Sequence, residues 1–151
     1  MGRTLSPEEV LARVPQREPF RFVDEILELS DERVVGAYRW RADADFFRGH
    51  FPGDPVVPGV LLVECMAQAA LAPLAIYLFY RELGEEAAKL LPFFTDAQVE
   101  FSGVVSPGDR VRVAGRKVFY RRRKVRLRAE MHLEGGALVC SGEIAGMGVV
   151  R

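Results

Sequence analysis

The sequence predicts an α+β domain in which a curved antiparallel sheet wraps one long helix. Three observations lead there. The segment from Val56 to Tyr80, VVPGVLLVECMAQAALAPLAIYLFY, is almost uninterruptedly apolar; two strand-like segments precede it; and several strand-like segments divided by short polar turns follow it. A helix that is apolar nearly all round has to be buried nearly all round, and only a sheet that bends over it achieves this. Some of the helix still emerges at the sheet's open edge, so a second copy of the chain is expected to finish the burial.

The elements follow in order. Ser6 before Pro7, Glu8 and Glu9 reads as an N-cap, a first-turn proline and acids at the positive end of a short helix reaching about Arg13. Val14 to Pro19, with two prolines, ends it. FRFVDEILEL from Phe20 reads as a strand, Ser30-Asp31-Glu32 as a turn and RVVGAYRW as a second strand, together a hairpin. Between Gly49 and Gly59, three prolines and three glycines exclude regular helix and central strand. A helix of about 35 Å is expected from Gly59 to Leu83, kinked at Pro73, with Gly84 as its stop. Four strands follow: LPFFTDAQVEFS, RVRVAGRKVFY, KVRLRAEMHL and ALVCSGEIAGMGVV, with turns at Ser106-Pro107-Gly108-Asp109 and Glu134-Gly135-Gly136. In the third of these, Leu127, Ala129, Met131 and Leu133 alternate with Arg126, Arg128, Glu130 and His132, the pattern of a sheet with one wet face.

Composition narrows the function. The 151 residues, 49% hydrophobic, suit a single domain spanning 1–151. Twenty-one basic residues balance twenty-one acidic ones, so no whole-molecule field recruits nucleic acid or an anionic membrane. Cys65 and Cys140 lie in apolar stretches, which leaves no disulfide framework and suits a reducing cytoplasm. The amino terminus has no secretory h-region. The Val56–Tyr80 segment is long enough to span a bilayer, yet it holds Glu64, Gln68 and Pro73, and burial within a soluble protein is expected instead.

The loop GHFPGDPVVPG carries the chemistry. It fixes an imidazole, His50, between a glycine and an aromatic-proline pair, and histidine is the side chain that exchanges a proton near neutral pH. Fourteen residues on, Glu64 interrupts an apolar helix, where lost solvation should keep it protonated. Gln68, one turn later on the same face, can orient that carboxyl. A lone loop histidine is often a surface group, and a glutamate near a helix start often merely complements the dipole. The two together, in a stiff loop that runs into a buried helix, point to a positioned base and a positioned acid. His132 sits on the charged strand face and Cys65 reads as core. No metal-ligand cluster, G-x-S-x-G elbow or P-loop is present, and no metal or cofactor is expected. Eight basic residues fall between Arg116 and Arg128; they read either as a solvated face or as a docking patch for an acidic partner.

The run FFRGHFPGDPVVPGVLLVECMAQAA resembles the active-site signature of the β-hydroxyacyl-(acyl carrier protein) dehydratases of type II fatty acid synthesis, a hot-dog-fold family. The similarity extends from FRFVDEILEL through SPGDRVRV to the last strand. The resemblance implies a dimer with two interfacial sites and a tunnel for the acyl chain. It makes His50 the catalytic histidine, Glu64 the catalytic carboxylate, Gly59 the residue whose N–H binds the thioester carbonyl, and Gln68 the support of the acid. Phe51, Val57, Pro58 and Leu61 would give dry surface to the acyl chain. EFSGVV (100–105) and Gly53-Asp54-Pro55-Val56 look closer to the branch that also isomerises the double bond, whereas Glu64 matches the dehydratase-only branch, which is favoured. The implied reaction is removal of water from a (3R)-3-hydroxyacyl-[acyl carrier protein] to give the trans-2-enoyl thioester. Alternatives are a hot-dog thioesterase and a non-catalytic acyl-binding partner subunit.

Overall fold

The computed structural model describes residues 2–151. Helix α1 (Pro7–Arg13) starts with a full capping box: the Ser6 hydroxyl accepts from Glu9 N–H at 3.1 Å, and the Glu9 carboxylate accepts from Ser6 N–H at 3.0 Å. Strands β1 (Glu25–Leu29) and β2 (Arg33–Arg39) form the expected hairpin. The expected first strand is shortened at its front: residues 20–24 are not laddered as strand, although Asp24 N–H still reaches Ala37 O at 2.8 Å. The reason lies in the groups that claim this stretch instead. Phe22 N–H donates to the Gln68 side chain and Phe20 O accepts from it, so these backbone groups are spent on the helix rather than on a neighbouring strand.

The apolar segment is one continuous run of helix. Helix α2 (Gly59–Met66) passes through a π-turn (Ala67–Leu71) into α3 (Ala72–Leu83), and a 3₁₀ segment (Gly84–Lys89) leads out. The π-turn accounts for Pro73. Proline has no N–H to offer Ala69 four residues back, and the ladder widens one turn earlier, with Ala72 N–H reaching Ala67 O. The Ala69 carbonyl then meets β2, where a Cβ built on Gly36 would lie 2.1 Å from its oxygen. Only glycine admits that approach.

Strands β3 (Leu90–Phe101), β4 (Arg110–Arg121), β5 (Lys124–Leu133) and β6 (Leu138–Val150) complete a six-stranded antiparallel sheet of order β1-β2-β4-β5-β6-β3. Its concave face carries Val111, Val113, Leu127, Ala129, Met131, Cys140 and Ile144, all buried against the helix. The residues from Ala69 to Tyr80 are buried without interruption. Gly59–Lys89 is apolar and long enough to cross a membrane, but 72% of its apolar 18-residue stretch is buried inside the protein. This is the hot-dog arrangement, a helix wrapped by a curved sheet. Edge strand β3 is the exception to burial: Leu91, Phe93 and Phe94 remain 36%, 39% and 40% exposed.

Candidate active site

Glu64 stands on the last turn of α2, before the π-turn, and is half-buried. Burial raises its carboxyl above the usual carboxylate range, and a hydrogen bond from Gln68 Nε2 to Oε2, 2.9 Å, opposes that shift without cancelling it. Gln68 is fully buried and bound on every side that matters: Oε1 accepts from Phe22 N–H at 2.7 Å, and Nε2 also donates to Phe20 O at 3.1 Å. The amide cannot rotate without breaking two backbone contacts. A carboxyl whose protonated form burial favours, held in one orientation, is a group that can give up a proton.

Glu64 lines a cavity of about 440 Å³. Helix residues Ala67, Leu71, Ala72 and Ala75 form one wall, Pro15, Gln16 and Phe20 a second, and Leu91–Phe94 of β3 with Gly146 a third. Small side chains on the helix face leave room, and the walls are mostly hydrocarbon.

His50 follows a 3₁₀ turn (Asp45–Arg48) and is half-buried. Its ring and the chain six residues on clamp each other: Nδ1–H donates to Val56 O at 2.9 Å and Val56 N–H donates to His50 O at 2.9 Å. Because a carbonyl can only accept, Nδ1 carries a proton, and in the neutral tautomer this selects, Nε2 presents the lone pair. Phe51 stacks on the imidazole at 4.1 Å. Gly59 opens α2 behind Pro58, and neither its N–H nor that of Val60 has a backbone acceptor among the described residues. A Cβ at Gly59 would lie 3.3 Å from the Phe101 ring, which explains the glycine.

Within one chain, then, Glu64 and Gln68 come together, whereas His50, Phe51, Val57, Pro58, Gly59 and Leu61 do not line the Glu64 cavity. Val57 is buried, its N–H bonded to Val105 O at 2.9 Å, and Phe51, Val60, Phe101 and Val104 form exposed apolar surface around the start of the helix. Sequence reasoning missed the contribution of Pro15, Gln16 and Leu91–Phe94 to the cavity. Only the exposed-apolar pattern of β3 could have signalled them. Cys65 is core, its thiol donating to Phe22 O at 3.3 Å and pushed up by burial.

The basic run divides. Lys117 pairs with Glu32, Lys124 with Asp96, and Arg126 with Asp96 and Glu143. Arg116, Arg121, Arg122, Arg123 and Arg128 form no ion pair among the described residues. Arg122 and Arg123, at φ 51° and 65°, make the two-residue turn between β4 and β5. Such turns favour Asn-Gly, because a side chain with positive φ is strained.

Comparison with known proteins agrees with this architecture. The FabA-like domain model matches residues 14–143. A 3-hydroxyacyl-[acyl-carrier-protein] dehydratase FabZ of Chloroflexus aggregans is 42% identical over 111 residues, 72% of each chain. The Roseiflexus castenholzii protein of the same name is 37% identical over 142 residues, 93% of this chain and 94% of that one. Among solved structures, the dehydratase heterocomplex ApeI:P from Xenorhabdus doucetiae superposes with a TM-score of 0.77 at 16% identity, covering 97% of this chain and 93% of that one. A hypothetical thioesterase with coenzyme A from Streptococcus pneumoniae gives 0.61 at 14% identity, covering 84% and 86%. The two structures speak for the fold alone, and the sequence matches speak for more: the chain belongs to the FabA-like family of 3-hydroxyacyl-[acyl-carrier-protein] dehydratases.

Proposed function

We propose that the chain removes water from (3R)-3-hydroxyacyl-[acyl carrier protein] to give trans-2-enoyl-[acyl carrier protein] in fatty acid biosynthesis. It acts as one domain, residues 1–151, in a cytoplasmic homodimer that can assemble further. The observation that carries the reading is Glu64: a carboxyl whose protonated form is favoured by burial, oriented by Gln68, and lining a hydrocarbon cavity. The dehydratase names of the curated relatives support it.

In this reading His50 Nε2 takes the proton from C2, the electrons of that C–H bond form the C2=C3 double bond, and the C3–O bond breaks. Glu64 gives its proton to the departing oxygen, which leaves as water. The Gly59 N–H meets the charge that grows on the thioester oxygen. Return of a proton from the imidazolium to the Glu64 carboxylate resets the site. Because the Glu64 cavity of one chain includes none of the His50 loop, the base that meets Glu64 comes from the second copy. The exposed apolar residues of β3 and those around Gly59 are the surfaces such a partner covers. Phe51, Val57, Pro58 and Leu61 are then read as wall residues contributed with that loop. Arg121, Arg122 and Arg123, gathered at one hairpin tip, are read as the docking point for the acidic carrier protein.

Incubation with a (3R)-3-hydroxyacyl thioester and, separately, with a saturated acyl thioester tests the reading. Loss of one water from the first, followed by mass, is expected. Release of free thiol from the second would replace it with a thioesterase, and no change in either would leave only a binding subunit.

A further inference from the structure

The cavity beside Glu64 holds one other polar side chain, and that one has no partner. Gln16 lines it between Pro15 and Phe20, and its Oε1 is enclosed with nothing to accept from. An enclosed, unpaired amide oxygen has lost its water without gaining a donor, which is unfavourable. An apolar side chain of the same length would avoid that cost. The loop holds the residue firmly: Gln16 O accepts from Arg21 Nη1 at 2.8 Å and from Arg17 Nη1 at 3.1 Å, and Arg21 also donates to Leu11 O at 3.1 Å and Val14 O at 3.2 Å.

Two contacts bracket its height along the helix. The Arg13 guanidinium lies 5.2 Å from the centre of the Tyr80 ring, and Gln68 Nε2 lies 3.1 Å from Phe20 O. From residue 13 to residue 20 the chain therefore descends from the level of Tyr80 to that of Gln68. Gln16, between them, falls near Ala72 and Ala75, which line the cavity with it. Those alanines are eight and eleven residues past Glu64, about 12–16 Å along a helix rising 1.5 Å per residue. An extended chain advances about 1.2 Å per bond, from three backbone bonds in 3.6 Å. A 3-hydroxyacyl group with C3 at Glu64 thus brings its tail to Gln16 after about ten to thirteen further carbons.

We infer that Gln16 is a specificity residue that sets an upper limit on acyl length, so that the preferred substrates are short and medium 3-hydroxyacyl thioesters of up to about twelve carbons. A shorter tail stops before the amide and leaves in place the water at Nε2, which is not enclosed as Oε1 is. A longer tail lays methylenes over the amide, strips that water and offers no hydrogen bond in return. The penalty falls on binding of the tail, away from the reacting carbons, so it belongs in KM rather than kcat. The inference rests on Glu64 marking the reacting end and adds what lies at the far end.

The test compares the protein with Gln16→Leu and Gln16→Met on 3-hydroxyacyl-pantetheine thioesters of 4 to 16 carbons. Calorimetric Kd values for the saturated acyl-pantetheines of the same lengths are measured alongside. Each variant should raise the ratio of kcat/KM for 16 carbons over 8 carbons by about tenfold, the equivalent of 1.4 kcal/mol, through KM. The ratio of the Kd values should shift by the same factor. A change of equal size at every length, or no preference against 16 carbons in the unmodified protein, overturns the inference. If no 3-hydroxyacyl thioester is turned over, the dehydratase reading fails by itself, and the Kd series still decides on Gln16.

Discussion

Gln68 joins the fold to the chemistry, and its replacement by methionine separates the two contributions. Methionine matches its length and removes every polar atom. Three hydrogen bonds go, those to Phe22 N–H, from Nε2 to Phe20 O and from Nε2 to Glu64 Oε2. The Phe22 N–H is the costly loss, since both residues are buried and no water reaches it. An orphaned buried donor costs about 1–3 kcal/mol and each of the two remaining bonds about 1 kcal/mol, which gives a loss of about 3–5 kcal/mol. For a domain of this size that lowers Tm by about 6–20 °C at fixed protein concentration. The chemical consequence has its own sign. Gln68 pulls the Glu64 carboxyl downward against burial, so its removal lets the carboxyl rise further. If Glu64 acts as the acid, activity is lost as pH climbs through its pKa, and the alkaline limb of the kcat/KM profile should move to higher pH in Gln68→Met while kcat falls. Calorimetry and a pH series of turnover measure both. A stability loss under about 0.5 kcal/mol, or an alkaline limb that stays or moves to lower pH, would refute the reasoning.

Other outcomes are expected on the same grounds. His50→Ala and Glu64→Ala should each abolish dehydration with the fold kept, and the double variant should be little worse than either single one, as steady-state and single-turnover rates would show. Glu64 binds its proton more tightly in the native state than at the ordinary value of 4.5, so native stability should fall as pH rises from 4.5 through the raised value; chemical denaturation across that range should show the slope vanish in Glu64→Gln. Arg122→Asn with Arg123→Gly should relieve the turn and raise stability by about 1–2 kcal/mol, yet raise KM for carrier-bound substrate in a salt-dependent way and leave a pantetheine thioester alone. Dilution should lower activity and Tm together, and sedimentation that finds a fully active single chain would contradict the shared site.

Much of this was legible because local chemistry and global fold agree. The N-cap at Ser6, the alternation from Arg126 to Leu133 and the apolar helix each appear in the structure where the sequence puts them. Where the reading fell short, a tertiary partner had taken over a backbone group. The stretch before Glu25 looked like strand by composition, and it is not laddered because Gln68, more than forty residues on, takes its hydrogen bonds. Pro73 was expected to kink the helix, and a π-turn one turn before it accommodates the missing N–H. Nothing local to the stretch before Glu25 carries that information.

The same pair of events explains why Glu64 is placed as it is. The π-turn begins immediately after α2, so the residues from Ala67 to Leu71 are set by the need to pass Pro73 without its N–H. Gln68 lies inside that turn and Glu64 one turn before it. The Ala69 carbonyl packed against Gly36 ties the turn to β2, and Gln68 ties it to the loop at Phe20 and Phe22. A Cβ at position 36 would collide with that carbonyl at 2.1 Å and push the turn away from the sheet. Gly36→Ala should therefore cost about 1–3 kcal/mol as an overpacked core does, and it should also misplace the acid, lowering kcat more than it raises KM. A variant that loses stability with kcat intact would show that the turn moves as packing alone and that Glu64 owes its position to the loop side.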